Sequence, residues 1–421
     1  MKEEKILQLT EIDNKDNANK NFLLGAWCKK YKDVIEKDKY NSFVQEHHWK
    51  NRNKRDKDII YIENLYEELI VHLKDTLNNF HREKKNDLYW RIIIGPWLQN
   101  YIAALFDRWE TISKFFSENP HNFKINYFHH ENDSRVFKDC KHFEENASYG
   151  NKWNQLIFYA IIKKYYLDRV EINKTNLNTK SQKDTLNWKI IHPNTPIILF
   201  KKLIKKLTPT ILSYIIFLLK IKFNKIIIID LEVNYKHFLE MCFSLKVIPN
   251  KNFLFLEDYI KIHESLYNLN VRKNIFIDKK NENKFEDFLF KNIFIDIPIT
   301  YLEGYKIIKK KINPILTEKK KIILSNYSHV ASDQWKIWIA EMLLRKSKLI
   351  TYMHGGGFVN KYHDFKCSEP IHELKISTKR ISWFKHNDNI SVQLSPLKTI
   401  KFKNIKYNDK NKFLSIIQYE A

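Results

Sequence analysis

The chain has 421 residues, a length that predicts about two or three domains, because single hydrophobic cores rarely grow beyond ~250–300 residues. Its composition is 43% hydrophobic and 14% aromatic, which is typical of a folded globular protein and excludes a disordered chain. The net charge of +24 is spread along the sequence, and no nucleic-acid-binding motif concentrates it. We therefore expect no nucleic-acid partner. The charge reflects either a compositional bias or a basic face toward anionic lipid or a phosphorylated substrate.

The sequence carries signals of a cytoplasmic location. Its four cysteines are far apart and form no CxxC pair, which indicates free thiols in a reducing compartment. The N-terminus is charged throughout and contains no apolar stretch of the signal-peptide type. The longest uncharged apolar run, 207–219, is shorter than the ~20 residues of a spanning helix and predicts a buried helix. Peripheral contact with the inner face of the cytoplasmic membrane stays open.

Apolar periodicity predicts the elements of the N-terminal part. A first strand is expected at 22–28, and a helix at 60–82, where apolar residues recur every four or five positions. The dense apolar stretch at 89–98 leads into a second helix. Residues 119–150 are polar and predict an irregular connection, after which helical periodicity returns at 153–166.

Two sites in this part attract attention. The adjacent pair His47 and His48 leaves a metal site open, although neighbouring side chains diverge on any regular element. With no HExxH pattern and no paired cysteines, no metal is expected overall. Arg91 and Arg108 stand among aromatic residues, where a guanidinium can be directed at an anion. Pairing with Asp107 is the favoured interpretation for Arg108, whereas Arg91 is a candidate anion clamp.

From residue 197 onward, helical patterns alternate with short continuous apolar runs. The runs lie at 225–231, 252–256, 292–297, 321–326, 348–353 and 380–384. This alternation predicts a parallel sheet covered by helices on both faces. Ligands bind at the carboxyl ends of the strands in such sheets, which is where Asp230, Asn326 and His354 are expected.

A glycine-rich turn follows the run at 348–353. The chain has only seven glycines, and three of them, Gly355, Gly356 and Gly357, come directly after His354. Bare backbone N–H groups at such a turn suit a phosphate or a developing oxyanion. His354 is placed to act as a base, an acid or a phosphate donor.

Further polar side chains follow this turn within twenty residues, namely Glu369, His372 and Glu373. The two carboxylates could bind sugar hydroxyls or tune the imidazole of His354. A glycine-rich hairpin beside a solvated acidic patch is the alternative interpretation.

Several motifs occur in an order that resembles a known group of proteins. They are LLGAWC, HHW followed by NRNKR, YWRIIIGPWL, FDRW, IPITYLEGY and MHGGGF. Together they resemble a group of uncharacterised bacterial surface-carbohydrate transferases, which are similar in turn to the Kdo and capsule-type glycosyltransferases. The resemblance spans roughly 22–383. It implies a GT-B-like architecture of two Rossmann-type domains and transfer from an activated sugar without a metal.

The resemblance also implies roles for individual residues. The catalytic candidates are His354, Glu369 and Glu373, which match the family's histidine-glycine turn and acidic pair. Gly355, Gly356 and Arg91 also match the family and are substrate-binding candidates. Gly357, Asn326 and His372 are added to them from the glycine turn, the end of the run at 321–326 and the polar side chains after the turn.

The predicted fold is therefore α/β and GT-B-like, with three parts. Residues 1–195 are expected to form an N-terminal strand plus the helix-rich part of an acceptor-side domain. Residues 196–385 are expected to form a Rossmann-like α/β part that carries the histidine-glycine turn. Residues 386–421 are expected to be a linker and the first strand of a C-terminal Rossmann-type domain that is largely missing.

The predicted function is that of a glycosyltransferase-like enzyme in cell-surface polysaccharide biosynthesis, such as capsule, O-antigen or lipopolysaccharide. Its expected partners are a nucleotide sugar and a glycan or lipid-linked acceptor, and no cofactor is expected. The alternative is a catalytically degenerate or accessory remnant of such an enzyme that binds glycan or lipid.

Overall fold

The computed structural model describes most of the chain in separate ranges. They are 5–11, 21–29, 43–129, 135–147, 150–176, 225–231, 240–242, 244–245, 256, 260–277, 283–353 and 369–394. The predicted helix at 207–219, the histidine-glycine turn at 354–357 and the predicted C-terminal strand therefore lie outside the described residues, as does most of the predicted strand at 252–256.

Ten strands and ten α-helices have their bounds within the described residues. The strands are β1 (Ile6–Gln8), β2 (Asn21–Leu23), β3 (Phe43–Val44), β4 (Phe123–His129), β5 (Val170–Asn176), β6 (Ile226–Asp230), β7 (Ile322–Ser325), β8 (Lys348–Tyr352), β9 (Lys379–Ser382) and β10 (Ser391–Gln393). The helices are α1 (Arg52–His81), α2 (Asp87–Glu118), α3 (Cys140–Ala147), α4 (Asn151–Tyr165), α5 (Leu269–Lys273), α6 (Lys284–Asp296), α7 (Tyr305–Ile312), α8 (Ser328–Ala331), α9 (Asp333–Leu344) and α10 (Glu369–Ile376). Short 3-10 turns include Ala26–Cys28, His48–Lys50 and Ile299–Tyr301.

The strands form two five-stranded sheets, and all their pairings are parallel. The first sheet has the order β3-β2-β1-β4-β5, so its strand order reverses at β1. The second has the order β10-β9-β8-β7-β6. The α/β class predicted from the sequence is confirmed, and both sheets are compatible with a Rossmann-like fold.

Helix α2 is the central element of the molecule. Its side chains are buried almost all round between Tyr89 and Leu98, as expected for a core helix. It contacts α1, α3 and α4 on the side of the first sheet and α9 and α10 on the side of the second. A single apolar cluster consequently includes residues from Leu7 in β1 to Ile376 in α10.

Several elements confirm the sequence predictions. The helices expected at 60–82 and 153–166 are α1 and α4. The runs at 225–231, 321–326 and 348–353 contain β6, β7 and β8, and the run at 380–384 overlaps β9. None of the helices in the described ranges is long and apolar enough to cross a membrane.

Other elements differ from the predictions. The run at 292–297 was predicted as a strand but is the buried end of α6, whose N-terminus is capped by Asn283. The supposedly irregular segment 119–150 contains β4 and α3. The N-terminal part was expected to contribute one strand but holds a five-stranded parallel sheet. The prediction missed β1 and β3 because strands of three and two residues produce no clear sequence signal. The boundaries after residues 195 and 385 stay predictions.

Candidate active site at the carboxyl edge of the second sheet

Asp230, the last residue of β6, fixes the loop that follows the neighbouring strand β7. Its Oδ1 accepts hydrogen bonds from the backbone N–H of Asn326 at 2.9 Å and the hydroxyl of Ser325 at 3.0 Å. Its Oδ2 accepts the backbone N–H groups of Tyr327 at 2.6 Å and Ser328 at 2.8 Å. A carboxylate at a strand end therefore holds the start of the next βα connection in one conformation.

His329 on α8 continues this network to α10 and β9. Its Nδ1 lies 3.1 Å from Ser325 Oγ, and its Nε2 lies 3.1 Å from Glu373 Oε1. The guanidinium of Arg380 donates to Glu373 Oε2 at 2.7 Å. Since a carboxylate only accepts hydrogen bonds, Nε2 of His329 is the donor to Glu373.

Burial affects the ionisation of Glu373, which is 2% exposed. Burial alone would raise the pKa of this carboxyl. The hydrogen bond with His329 and the charge of Arg380 overcome that effect and hold the pKa below its usual value. Glu373 is therefore ionised at neutral pH.

Two residues near this network have buried polar atoms without a hydrogen-bond partner. Among the described residues they include Oδ1 of Asn326, at the carboxyl end of β7, and both ring nitrogens of His372 on α10. Burial, together with the neighbouring charges of His329 and Lys336, lowers the pKa of His372 well below its ordinary value, so this imidazole is neutral. Orphaned buried polar groups are rare in native proteins and mark places where a ligand or water completes the bonding.

A family model described as LIC12162 family transferase matches residues 5–419, which is nearly the whole chain. The chain belongs to the LIC12162 family of transferases. No curated protein and no solved structure matches it significantly.

In this LIC12162 family transferase, α2 forms the wall that faces His372. Gly95 lies so close to α10 that a Cβ built on it would be 2.9 Å from His372 Cε1 and 2.8 Å from Tyr66 Oη. The absence of a side chain at Gly95 therefore allows the imidazole to sit against the helix. Arg91, one turn earlier, is close enough for its charge to act on His372.

Arg91 does not present a free guanidinium. It donates to both carboxylate oxygens of Glu67, at 3.1 and 2.8 Å, and lies over the ring of Tyr66. Lys375 on α10 also binds Glu67. An anion at Arg91 would have to share it with Glu67.

The structure brings together part of the predicted site. Glu373 contacts His329, the charges of His329 and of Arg91 on α2 act on His372, and Asn326 follows β7 in the loop that Asp230 holds. His354, Gly355, Gly356 and Gly357 lie outside the described residues, although β8 ends two residues before His354. Glu369 begins α10, and its side chain is outside the described part of the structure.

A second polar network, which the sequence reasoning missed, surrounds Asp333 at the start of α9. Lys336 Nζ lies 2.6 Å from Asp333 Oδ1, and Tyr301 donates to the same oxygen at 2.7 Å. The hydroxyl of Thr300 and the backbone N–H of Cys140 donate to Oδ2. Thr300 and Tyr301 belong to the IPITYLEGY motif, so the available signal was a recognised motif without an assigned role.

The adjacent histidines were predicted to diverge, and that prediction was wrong. The rings of His47 and His48 stack at 4.5 Å, and their Nε2 atoms lie 3.0 and 2.9 Å from the same oxygen of Asp107. They lie where a loop enters the 3-10 turn His48–Lys50, so the side-chain geometry of a regular element does not apply. His48, Asp58 and Glu110 form a neighbouring group of potential metal ligands.

Proposed function

We propose that this transferase is a glycosyltransferase-like enzyme of cell-surface polysaccharide biosynthesis, such as capsule, O-antigen or lipopolysaccharide, and uses a nucleotide-activated sugar. The observation that carries the proposal is a pair of unpartnered buried groups, Asn326 Oδ1 directly after the parallel strand β7 and the imidazole of His372 on α10. Ligands of α/β proteins bind at the carboxyl ends of such strands. An amide oxygen and a neutral imidazole suit the hydroxyl-rich groups of a sugar.

The proposed reaction needs a base and an anion site. A base takes the proton of the acceptor hydroxyl while N–H or cationic groups stabilise the departing phosphate. His354 and the glycines at 355–357 come two residues after the end of β8, and we assign them these two tasks. Glu369, at the beginning of α10, is assigned to contact the sugar. The transferred sugar leaves its phosphate and bonds to the acceptor oxygen.

The geometry favours an indirect contribution from Glu373. Both of its carboxylate oxygens are engaged, one by His329 and the other by Arg380. We therefore treat Glu373 as a positioning residue that holds His329, and through Ser325 and Asp230 the loop of Asn326, in place. Arg91 is kept as the cationic wall of the site, where it is paired with Glu67.

The test is the release of nucleotide from a panel of nucleotide sugars, measured with purified wild type, His354→Ala and Asn326→Ala. We expect wild type to release nucleotide from at least one donor, and His354→Ala to release it ~10²–10⁴-fold more slowly, as for loss of a general base. The matched controls are His263→Ala and Asn274→Ala, at exposed positions, which should keep the wild-type rate.

Two results would contradict the proposal. Equal rates of nucleotide release by wild type and His354→Ala would show that His354 is not the base of the reaction. Binding of a nucleotide sugar by calorimetry, without release by any variant, would instead favour an accessory glycan-binding protein.

A further inference from the structure

A cluster of imidazole and carboxylate groups lies where the segment after β3 meets helices α1 and α2. His48 comes from the turn His48–Lys50, Asp58 from α1 and Glu110 from α2. One ligand atom from each lies within 4.8 Å of those of the other two. The cluster plays no part in the candidate active site.

The hydrogen bonds of His48 leave one ring nitrogen directed at the two carboxylates. Its Nε2 lies 2.9 Å from Oδ1 of Asp107, and the other oxygen of this carboxylate accepts a hydrogen bond from the guanidinium of Arg108 at 2.6 Å. An ionised carboxylate only accepts hydrogen bonds, so Nε2 carries the proton. The other ring nitrogen, Nδ1, is buried, has no hydrogen-bond partner and lies 4.0 Å from Asp58 Oδ2, so it is the nitrogen available to bind an ion.

This arrangement is the one that prepares a histidine to bind a metal. Metal-ligating histidines commonly donate their other N–H to a carboxylate, which fixes the tautomer and raises the basicity of the ligating nitrogen. Here Asp107 is that carboxylate, and Arg108 holds it at 2.6 Å. His48 Nδ1 is therefore oriented before any ion arrives.

A cation already bridges the two carboxylates. The ammonium of Lys54 lies 2.6 Å from Asp58 Oδ2 and 2.7 Å from Glu110 Oε2. Its side chain is 39% exposed, so it can swing into solvent. The carboxylates are thus arranged to share one positive charge, and Lys54 supplies it while no other cation is bound.

We propose that His48 Nδ1, Asp58 and Glu110 bind one zinc ion, which displaces Lys54, with Asp107 as the outer-shell partner of His48. Zinc takes nitrogen and carboxylate-oxygen ligands at about 2.0–2.2 Å, and three protein ligands plus a water complete its tetrahedral shell. Two donors on one such ion are ~3–4 Å apart, close to the separation of His48 and Asp58. The ion joins the loop after β3 to α1 and α2.

The test is competition for Zn²⁺ between the protein and a fluorescent zinc chelator, in metal-free buffer and without an affinity tag. We expect wild type to bind one ion and Glu110→Gln to lose this site. Asp107→Asn should weaken binding ~10–100-fold, as for an outer-shell partner. Lys54→Met should bind about tenfold more tightly, because no ammonium competes for the carboxylates. His263→Gln, at an exposed position, is the control and should match wild type.

A second variant separates this site from the neighbouring group of His47, His48 and Asp107. His47 Nδ1 accepts the backbone N–H of Trp49, so its Nε2 carries the proton and is no ligand. The loss of zinc affinity in His47→Gln should therefore be no larger than the loss in Asp107→Asn. Loss of the ion in His47→Gln with retention in Glu110→Gln would overturn the proposal, as would weaker zinc binding by Lys54→Met.

A thermal melt checks that Glu110→Gln still folds. Since Glu110 is partly exposed, the melting temperature of this variant should stay close to that of wild type.

Discussion

Three buried histidines illustrate how the surroundings of a single residue determine its chemistry. His329 has a partner at each ring nitrogen, His81 has one at the carbonyl of Tyr301, and His372 has none. The sequence marked His372 as a candidate because it follows the glycine turn. It could not mark His329, whose partners Ser325 and Glu373 come from different elements and meet only in the folded chain.

His81 should make the stability of the protein depend on pH. Burial lowers its pKa to about 4, and the charge of Lys306 contributes, although the hydrogen bond to Tyr301 opposes the change. Between pH 6.5 and about 4 the unfolded chain binds a proton that the folded chain does not, so the free energy of unfolding falls as the pH falls through this window. The loss should reach about 2–4 kcal/mol.

Urea unfolding of wild type and His81→Gln between pH 7 and pH 4 checks this prediction. Glutamine keeps an N–H donor for the Tyr301 carbonyl but does not titrate, so the stability of wild type should decline relative to the variant as the pH falls. His72→Gln, on the same helix but partly exposed, is the control and should decline in parallel with wild type. A constant difference between wild type and His81→Gln would refute the assignment.

At the scale of elements, the sequence predicted those strands and helices whose apolar residues follow a clear pattern. Continuous apolar runs correctly predicted β6, β7, β8 and β9, and the parallel-sheet rule placed Asp230 and Asn326 at one edge. The run at 292–297 misled because a buried helix end is as apolar as a strand. The strand β4 was missed although Phe123, Ile125 and Tyr127 alternate with more exposed residues, a pattern that was present in the sequence.

Helix α2 should be intolerant of a side chain at Gly95. Alanine favours a helix over glycine by roughly 0.5–1 kcal/mol, but its Cβ would approach Tyr66 and His372 more closely than real contacts allow. Overpacking of this kind costs ~1–3 kcal/mol, so we expect Gly95→Ala to reduce the free energy of unfolding. It should also displace His372 and slow nucleotide release.

A double-mutant cycle measures the contact directly. In a His372→Ala background the imidazole is gone, so the cost of Gly95→Ala should fall by ~0.5 kcal/mol or more. The Tyr66 contact remains in both backgrounds and provides the reference. An equal cost with and without the imidazole would show that His372 does not pack against α2.

At the scale of the whole molecule, the two sheets share one apolar core through α2 and one buried ionic network. The Asp333 network joins Cys140 at the start of α3, the turn Ile299–Tyr301 and Lys336 on α9. Its members come from both sides of the core. The sequence could not predict it, because a buried lysine and a buried aspartate resemble surface residues until their partners are known.

Removing one charge of this network should lower the free energy of unfolding of the whole protein. Lys336 and Asp333 are both fully buried, and Lys336→Met would leave the Asp333 carboxylate without its counter-ion, which typically costs ~3–5 kcal/mol. The hydrogen bonds from Tyr301 and Cys140 remain, so we expect the lower half of that range. Lys141→Met removes an exposed pair with Glu145 and should cost less than ~0.5 kcal/mol.

Because the core is continuous, urea unfolding followed by circular dichroism and by tryptophan fluorescence should give coincident transitions for wild type and both variants. A Lys336→Met transition that splits between the two probes would mean that the network, rather than the apolar core, couples the two sheets.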